Sequence, residues 1–316
     1  MYTVKYKTLA FVLSLILVFT LFPERRLLAD TYSGKCGENI SWSFDGTGLL
    51  TISGSGPMYD WNTDGNAPWH DYSYGIKSVV ISDNVTTIGN CAFYFCLELE
   101  SVVIPNTVTS IGDGAFLDCQ KLNNITIPNS VKKIGKSAFG LCTSLTSISI
   151  PYGITTLSNS VFSSCESLKS ISIPSSVKTI GFAAFSSCLS LKSIYIPKSV
   201  TSIGVCAFSG CQGLVKVSGG ANVKTIGHAA FAYCYKLKSF TITSSKLKKI
   251  GGQAFMFDRY LKTINIKKTS KLTKSGVKLS LDRSNVKTIK VKKSKVKKYK
   301  KYFKKSNSGR KVKVKK

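Results

Sequence analysis

The chain has 316 residues, of which 43% are hydrophobic, 45 are lysine or arginine and 15 are aspartate or glutamate, so its formal net charge is +30. The length predicts about two compact domains and the apolar fraction can support a core, which excludes disorder along the whole chain. The two histidines, His70 and His228, lie far apart in the sequence, which argues against a histidine-rich metal enzyme.

The positive charge is concentrated toward the C terminus. Residues 267–316 hold 22 bases against one acid, whereas residues 30–120 hold 2 bases against 11 acids. Residues 121–266 are basic again, with 17 bases against 2 acids. The sequence therefore predicts a molecule that is acidic near its N-terminal end and basic near its C-terminal end.

The first segment has the organisation of an export signal. Lys5 and Lys7 precede an uncharged apolar run of 15 residues, 8–22. At about 1.5 Å per helical residue, this run is shorter than the roughly 30 Å hydrocarbon core of a bilayer. We predict that residues 1–29 are a signal peptide cleaved after Ala29, with an uncleaved N-terminal anchor as the alternative. No other stretch of the sequence approaches membrane-spanning length, so we expect a secreted or cell-surface protein.

Residues 30–75 are predicted to form an N-terminal cap. Two alternating segments, residues 40–44 and 49–52, flank an Asp-Gly-Thr-Gly sequence, a pattern that is typical of a β-hairpin. Trp61 and Trp69 are expected to pack beneath this hairpin.

A 23-residue period organises residues 76–266, and cysteine and leucine recur in the same register as phenylalanine. The phenylalanines are Phe93, Phe116, Phe139, Phe162, Phe185, Phe208, Phe231 and, after a step of 24, Phe255. The cysteines are Cys96, Cys119, Cys142, Cys165, Cys188, Cys211 and Cys234. One unit, residues 122–142, reads Leu-x-x-Ile-x-Ile-Pro-x-x-Val-x-x-Ile-Gly-x-x-Ala-Phe-x-x-Cys. We expect eight coils.

Each part of the unit has a physical meaning. Leu-x-x-Ile-x-Ile alternates as a short strand does, and proline ends it. Val-x-x-Ile-Gly predicts a second extended segment, with the glycine in a turn of positive φ. Ala-Phe-x-x-Cys places two apolar side chains on one face of a helical turn. One unit cannot bury its apolar side alone, so we expect a β-rich (α/β) solenoid of stacked 23-residue coils.

These motifs resemble the leucine-rich repeats of the BspA-like surface protein family, because Ile-Pro, Ile-Gly, Ala-Phe and Cys recur in register over residues 76–266. The resemblance implies a leucine-rich repeat fold and attachment to host or neighbouring-cell macromolecules. The chain departs from the pattern at Ser158 in place of glycine, Gly220 in place of proline and Asp258 in place of cysteine. We therefore expect the last coils to deviate from the regular stack.

Residues 267–316 are predicted to form a basic β-α-β C-terminal cap, with a disordered tail as the alternative. Residues 286–291 and 312–314 alternate as strands do. Ser294 is expected to be the N-cap of a helix between these strands. Apolar residues at i, i+3 and i+7 predict that the helix is amphipathic: Val296, Tyr299 and Phe303.

Ten cysteines in an exported chain first suggest disulfides. However, side chains in register on successive coils lie about 4.8 Å apart, whereas a disulfide prefers Cβ atoms about 3.8 Å apart. We interpret the seven cysteines in register, called here the cysteine ladder, as buried hydrophobes. Cys36, Cys91 and Cys206 lie outside the ladder and are the better candidates for a disulfide or a reactive thiol.

No catalytic, cofactor-binding or metal-binding set is readable, so we expect a protein that is not an enzyme and needs no cofactor. His228 and Cys234 share a repeat, but Cys234 belongs to the ladder and His228 occupies a variable position. We expect a surface histidine there, and we expect His70 to be part of the N-terminal cap.

The outward positions of the predicted strands form a hydroxyl-rich ribbon with lysines beside it. This ribbon is either an ordinary solvated face or a docking strip for an anionic or glycosylated partner. The candidate strip consists of Lys169, Lys192, Tyr195, Lys216, Lys238 and Lys262.

The lysine-rich end is a candidate polyanion-binding segment. Lysine is sufficient for phosphate contacts, but export argues against nucleic acid as the partner and favours anionic cell-wall polymers or acidic glycans. The candidate residues are Lys292, Lys293, Lys297, Lys298, Lys300, Lys301, Lys304 and Lys305.

Two functions fit these observations. The first is an exported adhesion protein that binds host or neighbouring-cell matrix proteins or glycans. The alternative is a structural component of the cell envelope that its basic C-terminal segment retains on anionic wall polymers.

Overall fold

The computed structural model describes residues 31–63, 66–304 and 312–316, which form a parallel β-solenoid of about ten coils. The predicted signal peptide, residues 1–29, lies outside the described residues. Successive coils stack so that equivalent residues lie side by side, for example Ile148 beside Ile171. The solenoid predicted from the repeat is thus confirmed, but it has about ten coils, more than the eight expected.

One strand of each coil contributes to a face that we call the main sheet. Its strands alternate between buried and outward positions, as in Ser147–Ser149, where Ile148 is buried between two exposed serines. These strands are β3 (Ser78–Ile81), β5 (Ser101–Val103), β7 (Asn124–Ile125), β9 (Ser147–Ser149), β11 (Ser170–Ser172), β13 (Ser193–Ile196), β15 (Lys216–Gly219), β17 (Ser239–Thr241), β19 (Thr263–Ile266), β20 (Thr288–Val291) and β21 (Lys313–Lys315).

Shorter strands form a second ladder beside the main sheet. They are β4 (Val85–Ile88), β6 (Ser110–Ile111), β8 (Lys133–Ile134), β10 (Thr156–Leu157), β12 (Thr179–Ile180), β14 (Ser202–Ile203), β16 (Thr225–Ile226) and β18 (Lys249–Ile250). Strands β4 to β8 pair with one another and strands β10 to β18 pair with one another, but β8 and β10 do not pair. The break lies between the coils of β8 and β10, and Ser158, which replaces the repeat glycine, directly follows β10.

The repeat glycines do not adopt positive φ, so that expectation is wrong. They are required because the neighbouring coil approaches closely: a Cβ at Gly227 would lie 2.4 Å from the carbonyl carbon of Gly204. At the same repeat position, Ser158 donates a hydrogen bond from Oγ to the carbonyl of Ile134 (2.5 Å).

The Ala-Phe-x-x-Cys segments form tight turns, and the helical turn expected there is absent from them. Alternate backbone N–H groups donate to the next coil, as from Phe139 to the carbonyl of Val161 (3.0 Å), so these groups are not free to close a helix. The phenylalanine rings stack through the core. The ring centroids of Phe208 and Phe231 lie 5.1 Å apart, and the two ring planes differ by 3°. Fully buried rings of this kind contribute a large share of the apolar area buried between coils.

An antiparallel hairpin precedes the coils, as predicted. Strands β1 (Tyr32–Phe44) and β2 (Leu49–Met58) pair with each other, and β2 also pairs in parallel with β3 and β4. Trp69 lies between the hairpin and the core, with its ring 5.8 Å from Trp42 and 5.7 Å from Phe93. Trp61 contacts Trp69, with 5.2 Å between the ring centroids.

The parallel main sheet continues past Ile266 into the lysine-rich segment. Strand β20 pairs with β19, and β21 pairs with β20. Between them lies helix α1 (Val296–Phe303), which buries Tyr299 and Phe303 against the core as the apolar spacing predicts. The expected cap at Ser294 is wrong: that residue lies in a short 3-10 helix (Lys293–Lys295), and Lys295 is the N-cap, without a side-chain hydrogen bond.

Candidate interaction surface

The candidate strip lies on the outward face of the main sheet. Lys216 in β15 and Tyr195 in β13 point away from the core, and Tyr195 is 65% exposed. The other lysines occupy the position just before a main-sheet strand and are all exposed: Lys169, Lys192, Lys238 and Lys262. The structure thus brings the six residues onto one face.

Backbone hydrogen bonds fix the spacing of this lysine column. Val215 N–H donates to the carbonyl of Lys192 (2.8 Å), and Lys238 N–H donates to that of Val215 (2.9 Å). Further along, Lys287 N–H donates to the carbonyl of Lys262 (2.9 Å). Successive coils are therefore one strand spacing apart, about 4.8 Å, and Lys192 and Lys238, with Val215 between them, are two spacings apart.

The strip and the lysine-rich end, which the sequence suggested to be two separate surfaces, lie on one continuous face. Asn265 in β19 pairs with Lys290 in β20, and Lys290 pairs with Lys315 in β21. Lys287 and Lys313 also lie on this face and were missed as members of the strip. Their alternation with buried valine and isoleucine indicates that they face outward from a strand, but it does not reveal which strand lies next to theirs.

Acidic side chains do not compensate the charge of this face. From Lys169 onward the acids are Asp258 and Asp282, and both are buried. The ion pairs within the described residues are Lys121–Glu98 and Lys136–Asp113, in the N-terminal half. The strip lysines are therefore available to an anionic ligand.

The candidate polyanion-binding lysines surround helix α1. The buried face of the helix carries Tyr299 and Phe303, so its lysines project outward. Those with described side chains are all exposed: Lys292, Lys293, Lys297, Lys298, Lys300, Lys301 and Lys304. Lys305 lies outside the described residues.

The cysteine ladder is buried, and its thiols are free. Six of the seven donate from Sγ to the carbonyl of a phenylalanine in the preceding coil; Cys142 donates to Phe116 (3.2 Å). Burial raises the pKa of Cys96 and Cys142 to about 12. These thiols therefore stay protonated at neutral pH, which suits packing rather than nucleophilic chemistry.

The other cysteines and the histidines form no chemical site among the described residues. Cys36 is buried, whereas Cys91 and Cys206 are half-buried, and all three are free. Burial raises the pKa of both half-buried thiols. In residues 31–63, 66–304 and 312–316, no group of three or more His, Cys, Asp or Glu side chains could hold a metal ion. The helices of these residues include none long and apolar enough to span a bilayer.

Comparison with known proteins locates the chain among leucine-rich repeat proteins. The family model described as "BspA type Leucine rich repeat region (6 copies)" matches residues 70–192 and 178–309. No curated protein matches the chain.

Several solved structures are similar to it. A leucine rich cell surface protein from Faecalibacterium prausnitzii is 21% identical, with 90% of this chain and 94% of that chain covered and a TM-score of 0.42. A leucine-rich repeat protein from Bacteroides ovatus is 22% identical, with coverages of 90% and 98% and a TM-score of 0.40. The pneumococcal vaccine antigen PcpA is 16% identical, with coverages of 84% and 82% and a TM-score of 0.46.

Solenoids of this type are typically binding scaffolds that present an extended repeated surface, and they are typically not enzymes. Matches of the family model cover more than half of the chain, in the segments that form the coils. The chain therefore belongs to the BspA type leucine rich repeat family.

Proposed function

We propose that this protein is exported and binds macromolecules at the cell surface through the outward face of its main sheet, and that it acts in adhesion. The observation that carries the proposal is the continuous face from β13 to β21, on which the lysine column, Tyr195 and rows of hydroxyl groups lie side by side. The partner is a matrix protein or glycan with an anionic surface.

The composition of the face supports this partner. Hydroxyl-bearing residues such as Ser193 and Ser239 can donate and accept hydrogen bonds, and the lysines attract negative charge. Tyr195 offers the large amphipathic side chain that interfaces use as an anchor. Because the charge has no acidic counterpart on this face, association is expected to be fast and dependent on salt.

The test is a binding screen of the full chain against extracellular matrix proteins and purified wall polymers. Replacing Lys192, Lys216 and Lys238 by glutamate should abolish capture of the partner. A control variant carries the same three changes at Lys132, Lys178 and Lys224, which are exposed beside the second ladder. Equal loss of binding in both variants would show that overall charge, rather than this face, holds the partner.

A second function is retention in the cell envelope by the lysines of helix α1. It is favoured by their exposure and by the absence of ion pairs to them among the described residues. Deleting residues 287–316 would remove β20 and the buried Tyr299, so substitution is the better test. Changing Lys297, Lys300 and Lys301 to glutamine should release the protein from isolated cell walls if this function is correct, and should leave it attached if the sheet face is responsible.

A further inference from the structure

A patch of aromatic and arginine side chains lies on the turns of the last coils, separate from the outward face of the main sheet. The ring of Tyr233 lies 5.2 Å from that of Phe257 and 6.3 Å from that of Tyr235. Phe257 is 41% exposed and Tyr260 is 58% exposed. Aromatic rings are thus presented to solvent from two neighbouring coils.

Two arginines border these rings. The guanidinium of Arg259 lies 5.2 Å from the ring centre of Tyr235. Phe257 N–H donates to the carbonyl of Arg283 (3.0 Å), so Arg283 lies beside Phe257 on the following coil. Both arginines are exposed and neither forms an ion pair within the described part of the chain.

The choice of arginine is informative because the chain uses lysine almost everywhere else. The sequence has 40 lysines and 5 arginines, and the two arginines among the described residues are both in this patch. Guanidinium binds carboxylate with two parallel hydrogen bonds and stacks on flat surfaces, which lysine cannot do.

The backbone of the repeat places these side chains at equivalent positions of successive coils. Tyr233, Phe257 and Arg283 have φ values of 60°, 61° and 54°, a left-handed conformation that is uncommon for large side chains. The middle coils place Ser164, Ser187 and Gly210 at the position that Tyr233 and Phe257 occupy here. The left-handed conformation recurs at this position in every coil from Phe95 onward, so it belongs to the repeat, and the large side chains placed on it distinguish the patch.

We propose that this patch binds an acidic saccharide. The apolar face of the sugar ring would lie on Phe257 beside Tyr233, and its carboxylate would accept hydrogen bonds from Arg259 and Arg283. The nearest acids in the sequence, Asp258 and Asp282, are buried, so none of the exposed side chains named here repels the ligand. Charge complementarity and exposed rings together select an anionic sugar over a neutral one.

Trigalacturonate is a suitable probe for the full chain, because it is too short to need the whole basic surface. Saturation-transfer difference NMR should show contacts from the sugar ring protons, and calorimetry should give the dissociation constant. Replacing both Arg259 and Arg283 by lysine keeps the charge but should weaken binding by about tenfold, since bidentate hydrogen bonds are lost.

Phe257→Ser should abolish the ring-proton signals, and it should fold because serine occupies the same position in two middle coils. Phe95→Ser is the matched control, since Phe95 has the same left-handed conformation (φ 63°) but no neighbouring arginine; it should bind normally. Unchanged affinity in the double lysine variant would overturn the proposal. So would binding of triglutamate with equal affinity and equal dependence on Phe257, because the site would then recognise acidic peptides.

Discussion

Asp258 occupies the position that seven preceding coils give to cysteine, and it is fully buried. Its Oδ1 accepts a hydrogen bond from Cys234 N–H (2.9 Å), whereas its Oδ2 has no hydrogen-bond partner in the part of the chain that the structure describes. Burial raises the pKa of this carboxyl well above its ordinary value. The neutral acid is therefore the form that the native state favours.

The raised pKa predicts that stability falls as the pH rises. Between the unfolded pKa, about 4, and the raised native pKa, the folded chain binds more protons than the unfolded chain, so the free energy of unfolding decreases with pH there. Asp258→Cys removes this dependence and restores the ladder, and it should stabilise the protein at neutral pH by about 1–3 kcal/mol.

Urea denaturation at pH 5 and pH 8 measures both effects, and Asp258→Asn is the control of similar shape that does not titrate. A wild-type protein whose stability is the same at both pH values, or an Asp258→Cys variant less stable than wild type at pH 8, would contradict this interpretation.

Cysteine reactivity should follow burial. Cys91 and Cys206 are half-buried, so alkylation of the native protein should begin at these two, slowly because burial raises the pKa of both. The seven ladder cysteines should react only after denaturation, and they should do so without a reductant. Peptide mass spectrometry identifies the modified sites; disulfide-linked peptides from the ladder would contradict the packing described here.

At the scale of the elements, contact between backbones limits how closely coils can stack. A Cβ at Gly251 would lie 2.4 Å from the backbone nitrogen of His228, whereas one at the adjacent Gly252 would meet nothing closer than 3.4 Å. Gly251→Ala should therefore destabilise the protein by about 1–3 kcal/mol. Gly252→Ala should change stability by less, and thermal unfolding of the two variants makes the comparison. Equal effects would show that glycine is needed for backbone freedom rather than for close approach.

Periodicity predicts which residues share a face, and it does so well here. The alternation around Ile148 and the recurrence of Phe162 were enough to predict the strands and the stack. Periodicity does not reveal the distance between coils, so the role of Gly227 was misread. Nor does it reveal which strand lies next to another, so the continuity of Lys290 with the strip was not foreseen.

The patch on the turns was missed for a related reason. Residues such as Tyr233 and Arg283 carry no recognisable motif, and their side chains are presented together by a left-handed backbone that the sequence pattern does not reveal.

At the scale of the whole molecule, charge is separated along the solenoid. Exposed acids such as Glu100 lie near the N-terminal end, and uncompensated lysines dominate the C-terminal end. A polyanion should therefore bind at the C-terminal half, and its affinity should fall steeply with salt because bound counterions are released.

Surface plasmon resonance of the full chain on an acidic polysaccharide, from low salt to about 0.5 M NaCl, measures this dependence; the Debye length there is about 4 Å. Changing Lys290, Lys313 and Lys315 to glutamine should reduce the slope of log affinity against log salt. The same changes at Lys132, Lys178 and Lys224 should reduce it less. Equal reductions would show that the ligand responds to net charge alone.

Because the distance between successive coils is constant, the main sheet presents equivalent side chains at regular intervals. Six strands, β13 to β21, place their outward side chains at intervals of about 4.8 Å, so five intervals span about 24 Å. A flexible polymer can place its charges against these side chains at any point. A stiff polymer can contact the side chains of every coil only if its own charges recur at a distance commensurate with the spacing of the coils. Two polymers of equal charge density can therefore differ in affinity solely because the charge spacing of one matches the spacing of the coils and that of the other does not.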